Sequence, residues 1–181
     1  MLQKMIRGLV AVGLLVVALS SAGWAEDSKE AKIARAMSAA PTAISEKATV
    51  MDSDGAMLRE GSNGWICMPD TMPGDKAAMC NDAVWMKLMN ALKNKTPFET
   101  DRVGISYMLQ GDKGAGVSNS DPYHPDPKNA DDYTETGPHL MIVVPKALLK
   151  GITDDPASGG PYIMWGNTPY AHIMVPVAPL Q

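Results

Sequence analysis

Apolar residues recur at helical spacing most clearly between Asp82 and Lys93. There Val84, Trp85, Leu88, Met89 and Leu92 fall on one stripe of a 3.6-residue period, Asn81 stands where a cap is wanted and Pro97 lies beyond the end. A shorter, alanine-rich helix is expected over Asp27 to Ala40, where Asp27 and Glu30 have capping-box spacing, Ile33, Ala34 and Met37 share a face, and Pro41 stops the run. Strand patterns are predicted at Ala48 to Met51, Ala56 to Arg59, Trp65 to Met68, Arg102 to Gln110, His139 to Val144, Tyr162 to Trp165 and Tyr170 to Val175. The two turns Asp52 to Gly55 and Gly61 to Gly64 have hairpin chemistry. His139 to Val144 is apolar on both faces, which places it in the middle of a sheet. Pro145 to Lys150 predicts a helical turn with proline at its permitted first position. Together these elements predict an α+β fold: a single domain, with an antiparallel or mixed sheet of about five or six strands and two helices.

One stretch breaks the pattern. Residues 111–137 contain Asp112, Asp121, Asp126, Asp131, Asp132 and Glu135, with almost no apolar residues. Segments this long without secondary structure are uncommon in compact domains and are usually functional or mobile. A solvated acidic loop is the expectation here.

The first 25 residues follow a different logic. Lys4 and Arg7 precede a run from Leu9 to Leu19 interrupted only by Gly13, and small residues lead to Glu26 and Asp27. That is the three-part pattern of a secretory signal, and the run is too short for an ordinary membrane span. Cleavage after Ala25, with Gly23 three residues back, or alternatively after Ala22, predicts export to the periplasm or the medium and no stable membrane anchor afterwards. Removing residues 1–25 of 181 leaves 156, and losing Lys4 and Arg7 moves the formal charge from −4 to −6. Such an acidic chain without a basic patch excludes nucleic acid as the expected partner. Export also governs the two cysteines: Cys67 and Cys80, separated by a Pro- and Gly-containing segment, are expected to form one disulfide closing a loop of 14 residues.

Composition then points to the candidate chemistry. The chain has 14 Met against a single Phe, and 12 of the 14 lie beyond residue 25. It also has an internal echo, His139-Leu140-Met141-Ile142-Val143-Val144-Pro145 and His172-Ile173-Met174-Val175-Pro176. Alternate strand residues share a face, so His139 projects with Met141 and His172 with Met174. If the two strands are neighbours in register, two imidazoles and two thioethers converge, a ligand set suited to copper(I). The plainer reading is two core strands whose methionines fill space. His124, in the acidic segment, is the third candidate: a fold-back would make a three-histidine metal site, or place a histidine base beside Asp121 or Asp126.

Other motifs fail. Asp52-Ser53-Asp54-Gly55 has no glutamate at position twelve of a calcium loop, where Asn63 stands. Gly104-Ile105-Ser106-Tyr107-Met108 has Met where a nucleophile elbow needs its second Gly. The glycines of 111–116 lack the Gly-Lys-Ser/Thr ending of a phosphate loop.

The segments Gly64 to Pro69, Arg102 to Gly111, Gly137 to Pro145 and Pro169 to Met174 resemble small exported bacterial proteins of unassigned function. The resemblance implies export and one compact domain, and brings no activity with it. The leading expectation is an exported module that binds a small molecule or a metal ion, a transition metal such as copper, through His139, His172 and His124, with Met141 and Met174, near one end of the sheet. The alternatives are a small hydrolase using a histidine base with Asp121, Asp126 or Ser106, and an interaction protein with no site.

Overall fold

The computed structural model describes residues 28–177, so the expected signal segment 1–25 lies outside the described residues. The fold is a single α+β domain whose sheet has eight strands rather than five or six. In chain order these are β1 (Thr49–Met51), β2 (Met57–Arg59), β3 (Ile66–Met68), β4 (Met79–Asn81), β5 (Gly104–Met108), β8 (His139–Val143), β9 (Tyr162–Met164) and β10 (His172–Pro176), arranged β2-β1-β3-β4-β5-β8-β10-β9. Two short strands, β6 (Val117–Ser118) and β7 (Tyr133–Thr134), form a separate hairpin-like pair. Among the described residues no helix is long and apolar enough to cross a membrane.

The helices sort the core into two clusters. Helix α1 (Lys29–Met37) and the short α2 (Thr42–Ser45) flank one face, where Ala36, Ala39, Ala48, Val50, Cys67 and Cys80 are buried together. Helix α3 (Ala83–Lys93) covers the other face, burying Trp85 and Leu88 against Met79, Met108, Met141, Val143, Tyr162, Met164 and Met174. Strand β8 lies between β5 and β10, as its two-faced apolarity predicts. The disulfide links Cys67 and Cys80, which stand directly opposite each other on β3 and β4.

Several local expectations are corrected. Ser28, not Asp27, caps α1 by accepting from the Ala31 amide at 3.1 Å, and Asp27 lies outside the described residues. Asn81 does not cap α3 but belongs to β4, a strand the pattern missed because three residues beside a helix start carry no alternation to read. The Asp52 to Gly55 turn does join an antiparallel pair, β1 and β2, but Gly61 to Gly64 makes no hairpin: β3 runs parallel to β1, on its other side from β2.

Residue Asp82 is the cap of α3, and it does more. Its Oδ1 accepts from the amides of Val84 (2.9 Å) and Trp85 (2.8 Å), while Oδ2 accepts from the Ile105 amide (2.8 Å), tying the helix start to β5. Replacing Asp82 with Ala removes a cap and leaves a strand amide unpaired, an expected loss of about 2 kcal/mol. A lower urea midpoint with an unchanged slope is the expected reading; a loss under about 0.5 kcal/mol would show that α3 is held by packing alone.

The acidic segment is in part solvated, with Asp121, Asp126, Asp131 and Glu135 exposed, while Ala115 and Val117 pack against the core under α3. Its carboxylates serve as acceptors for its own backbone: Glu135 for Gly114 (2.8 Å), Asp132 for Ser120 (2.8 Å) and Asp112 for Thr136 (2.6 Å). The Tyr123 hydroxyl donates to the Leu92 carbonyl at 2.7 Å and pins the segment to the end of α3. At Gly111 the backbone adopts φ +69°, and a Cβ there would meet the Gly137 carbonyl carbon at 2.9 Å. Glycine therefore lets the two ends of the segment touch, which brings Asp112 beside His139.

Candidate metal-binding cavity

Strands β8 and β10 are antiparallel neighbours, and Met141 stands directly opposite Met174. In an antiparallel pair the residues two positions before each methionine lie at opposite ends, so His139 faces Pro176 across the ladder and not His172. The histidines share a face with the two methionines but do not meet at one end of the sheet. Each has its own methionine across the neighbouring strand: Met108 of β5 opposite His139, and Met164 of β9 opposite His172.

All six side chains line one cavity of about 220 Å³ beneath α3, with Met79, Met89, Trp85 and Trp165. Met72, 68% exposed, and Asp112 also line it and mark the way in. The volume is below the ~300–1,000 Å³ of pockets for drug-sized molecules, so the space suits an ion or a very small molecule.

Both imidazoles are fully buried, at 0% and 1% exposure. The Nδ1 of His139 lies 2.7 Å from the Gly137 carbonyl, and that of His172 lies 2.9 Å from the Tyr170 carbonyl. A carbonyl oxygen only accepts, so each Nδ1 carries the proton and each Nε2 presents a lone pair. Neither Nε2 has a hydrogen-bond partner. Among the described residues four buried side-chain polar atoms lack a partner, and three of them, the two Nε2 atoms and Trp85 Nε1, belong to residues lining this cavity. Unpaired buried polar atoms are uncommon because each forfeits its hydration, so their concentration here singles the cavity out.

Electrostatics keep the donors neutral. Burial pushes the His172 pKa down to about 4, helped by the nearby His139, and burial likewise lowers that of His139. Burial also drives Asp112 up to about 7, against the Thr136 amide that favours its charge. Asp112 Oδ1 is 3.9 Å from His139 Nε2, beyond hydrogen-bond reach, and with both groups shifted toward neutrality the contact is not a conventional ion pair. The His172 ring is fixed edgewise between Trp85 and Trp165, with centroids 5.2 and 5.1 Å away. Trp165 holds its place with a left-handed φ of 57°, its ring nitrogen donating to the Ser118 carbonyl at 3.0 Å.

The remaining candidates lie elsewhere. His124 stays in the acidic segment, where its Nδ1 accepts from the Asp126 amide at 3.2 Å, and it does not line the cavity. Asp121 and Asp126 accept from Tyr123 (2.8 Å) and Asn129 (2.7 Å) within their own turns. Ser106 is buried with its hydroxyl donating to Asn81 Oδ1 at 2.6 Å. The three-histidine cluster and the histidine–carboxylate arrangement with Asp121 or Asp126 are therefore not assembled; the carboxylate that does approach a histidine is Asp112, which spacing alone gave no reason to choose. Among the described residues no three His, Cys, Asp or Glu side chains group closely enough to hold a metal, so an ion in this cavity has to be held through thioether sulfur. No protein-family model, no curated protein and no solved structure matches the chain.

Proposed function

We propose that this protein is an exported copper(I)-binding module whose site is the cavity lined by His139, Met141, His172 and Met174. The observation that carries the reading is the pair of buried imidazoles, each oriented by a backbone carbonyl at Nδ1, each with an unpartnered Nε2, in a cavity otherwise lined by thioethers. Carbonyl-anchored Nδ1 is the usual second layer of a metal-ligating histidine. Neutral nitrogen and thioether sulfur prefer a soft, singly charged ion, whereas hard cations need oxygen. The signal-like leader and the disulfide support export.

The test is anaerobic competition between the untagged protein and a chromophoric copper(I) chelator. The protein is expected to withdraw copper(I) from the chelator, and a His139→Ala, His172→Ala double variant to lose this while keeping its far-UV circular dichroism. A Met141→Leu, Met174→Leu variant conserves core volume and should also bind more weakly, so the result does not hang on the histidine variant folding. Failure of the wild-type protein to take copper(I), or full retention by a folded double-histidine variant, overturns the proposal.

A further inference from the structure

The ladder around the cavity has an internal two-fold relation that the echo in the sequence only half reveals. An axis normal to the sheet at the Met141–Met174 pair exchanges β8 with β10 and β5 with β9. Under it His139 maps onto His172, and Met108, which stands opposite His139, maps onto Met164, which stands opposite His172. Each half thus repeats one set: a histidine, the methionine two residues on along the same face, and a methionine directly across the neighbouring strand.

Directly opposite residues have Cβ atoms roughly 4.5–5.5 Å apart, and methionine's three rotatable bonds let its sulfur reach inward from there. Each imidazole therefore has two thioethers beside it. The two histidines, in contrast, start from opposite ends of their strand pair, roughly 13 Å apart along the ladder, which favours a separate ion at each over one ion bridging both. Each half also has its own orphaned, fully buried Nε2.

We infer that the cavity holds two copper(I) ions, one on His139, Met108 and Met141 and the other on His172, Met164 and Met174. This rests on the copper(I) reading above and specifies its stoichiometry and ligands. Three neutral donors, one nitrogen and two sulfurs, suit the low coordination number of a singly charged soft ion. The halves differ in their surroundings: Asp112 adjoins His139, and two indoles flank His172.

That difference gives the test its second readout. In anaerobic titration against the chelator, wild-type protein is expected to take two equivalents, and His139→Ala and His172→Ala one each. Quenching of tryptophan fluorescence, reporting on Trp85 and Trp165, should persist on loading His139→Ala and largely disappear in His172→Ala. Where an alanine variant fails to fold, Met108→Leu and Met164→Leu replace it, each weakening one of the two ions by about tenfold and leaving the other unchanged. A single equivalent, abolished by either histidine substitution alone, overturns the two-ion inference and leaves copper(I) binding standing. No uptake at all overturns both.

Discussion

If the cavity binds copper(I), loading in the absence of oxygen is expected to raise the thermal midpoint of this protein by about 10 °C. A ligand that binds only the folded state stabilises it by about 4 kcal/mol at a thousandfold excess over its dissociation constant. For a domain of 150–250 residues each kcal/mol moves the midpoint by roughly 2–4 °C. The metal-free cavity contributes less than a filled one, because both Nε2 atoms lack a hydrogen-bond partner within the protein. Coordination would supply the missing partners at once, and only in the native register that brings Met108, Met141, Met164 and Met174 onto the same face. Ascorbate keeps the metal reduced without cleaving the disulfide. Zinc, which prefers thiolate, imidazole or carboxylate over thioether, is expected to shift the midpoint by less than about 2 °C. A copper(I) shift equally small, read by calorimetry, would remove the thioether cavity as a binding site.

Replacing Asp112 with Asn is expected to stabilise the metal-free protein by about 3 kcal/mol at pH 8, with the advantage vanishing near pH 4. The sign follows from the direction of the shift. Burial raises the Asp112 carboxyl from an ordinary 3.8 to about 7, so the folded state holds a proton that the unfolded chain has already released. Stability from this group is complete below pH 3.8 and is lost as the pH rises through 7. Asparagine keeps an acceptor for the Thr136 amide and has no charge to bury. The histidines act the other way: His172 is lowered from 6.5 to about 4, so its contribution is complete above 6.5 and lost as the pH falls toward 4. In the wild-type protein the two trends oppose; in Asp112→Asn only the histidine trend remains, and stability should fall steadily from pH 6.5 to pH 4. Urea midpoints of both proteins from pH 4 to pH 8 check it, and parallel pH profiles would show that Asp112 is solvated in the folded state.

What the sequence made legible was local. The stripe of α3, the two-faced β8, the β9–β10 pair and the cysteine pairing are each written in a few neighbouring residues, and the structure has all of them. The His-x-Met echo named four of the cavity's residues for the same reason: alternation fixes which residues share a face. Ladder register is not local. That His139 faces Pro176 while Met141 faces Met174 depends on where two antiparallel strands lock, and this is settled by packing under α3. Met108, Met164 and Asp112 were missed on the same ground, since each reaches its histidine across a strand or a turn. The faint signal for them was the methionine excess in a chain with one Phe. The acidic segment was legible in part: most of its carboxylates are exposed, as composition suggests, but several also accept from its own amides, and Asp112 is drawn in beside His139.

The position of the disulfide has a further consequence. Cys67 and Cys80 pack beneath α1, on the face of the sheet opposite the thioethers. Thiolates bind copper(I) far more avidly than thioethers do, and a reduced chain would offer two of them side by side on β3 and β4. The disulfide withdraws that rival pair. On the copper(I) proposal the cross-link would be a selectivity device as well as a staple: delivery of metal to the thioether side of the sheet would depend on the disulfide having formed first.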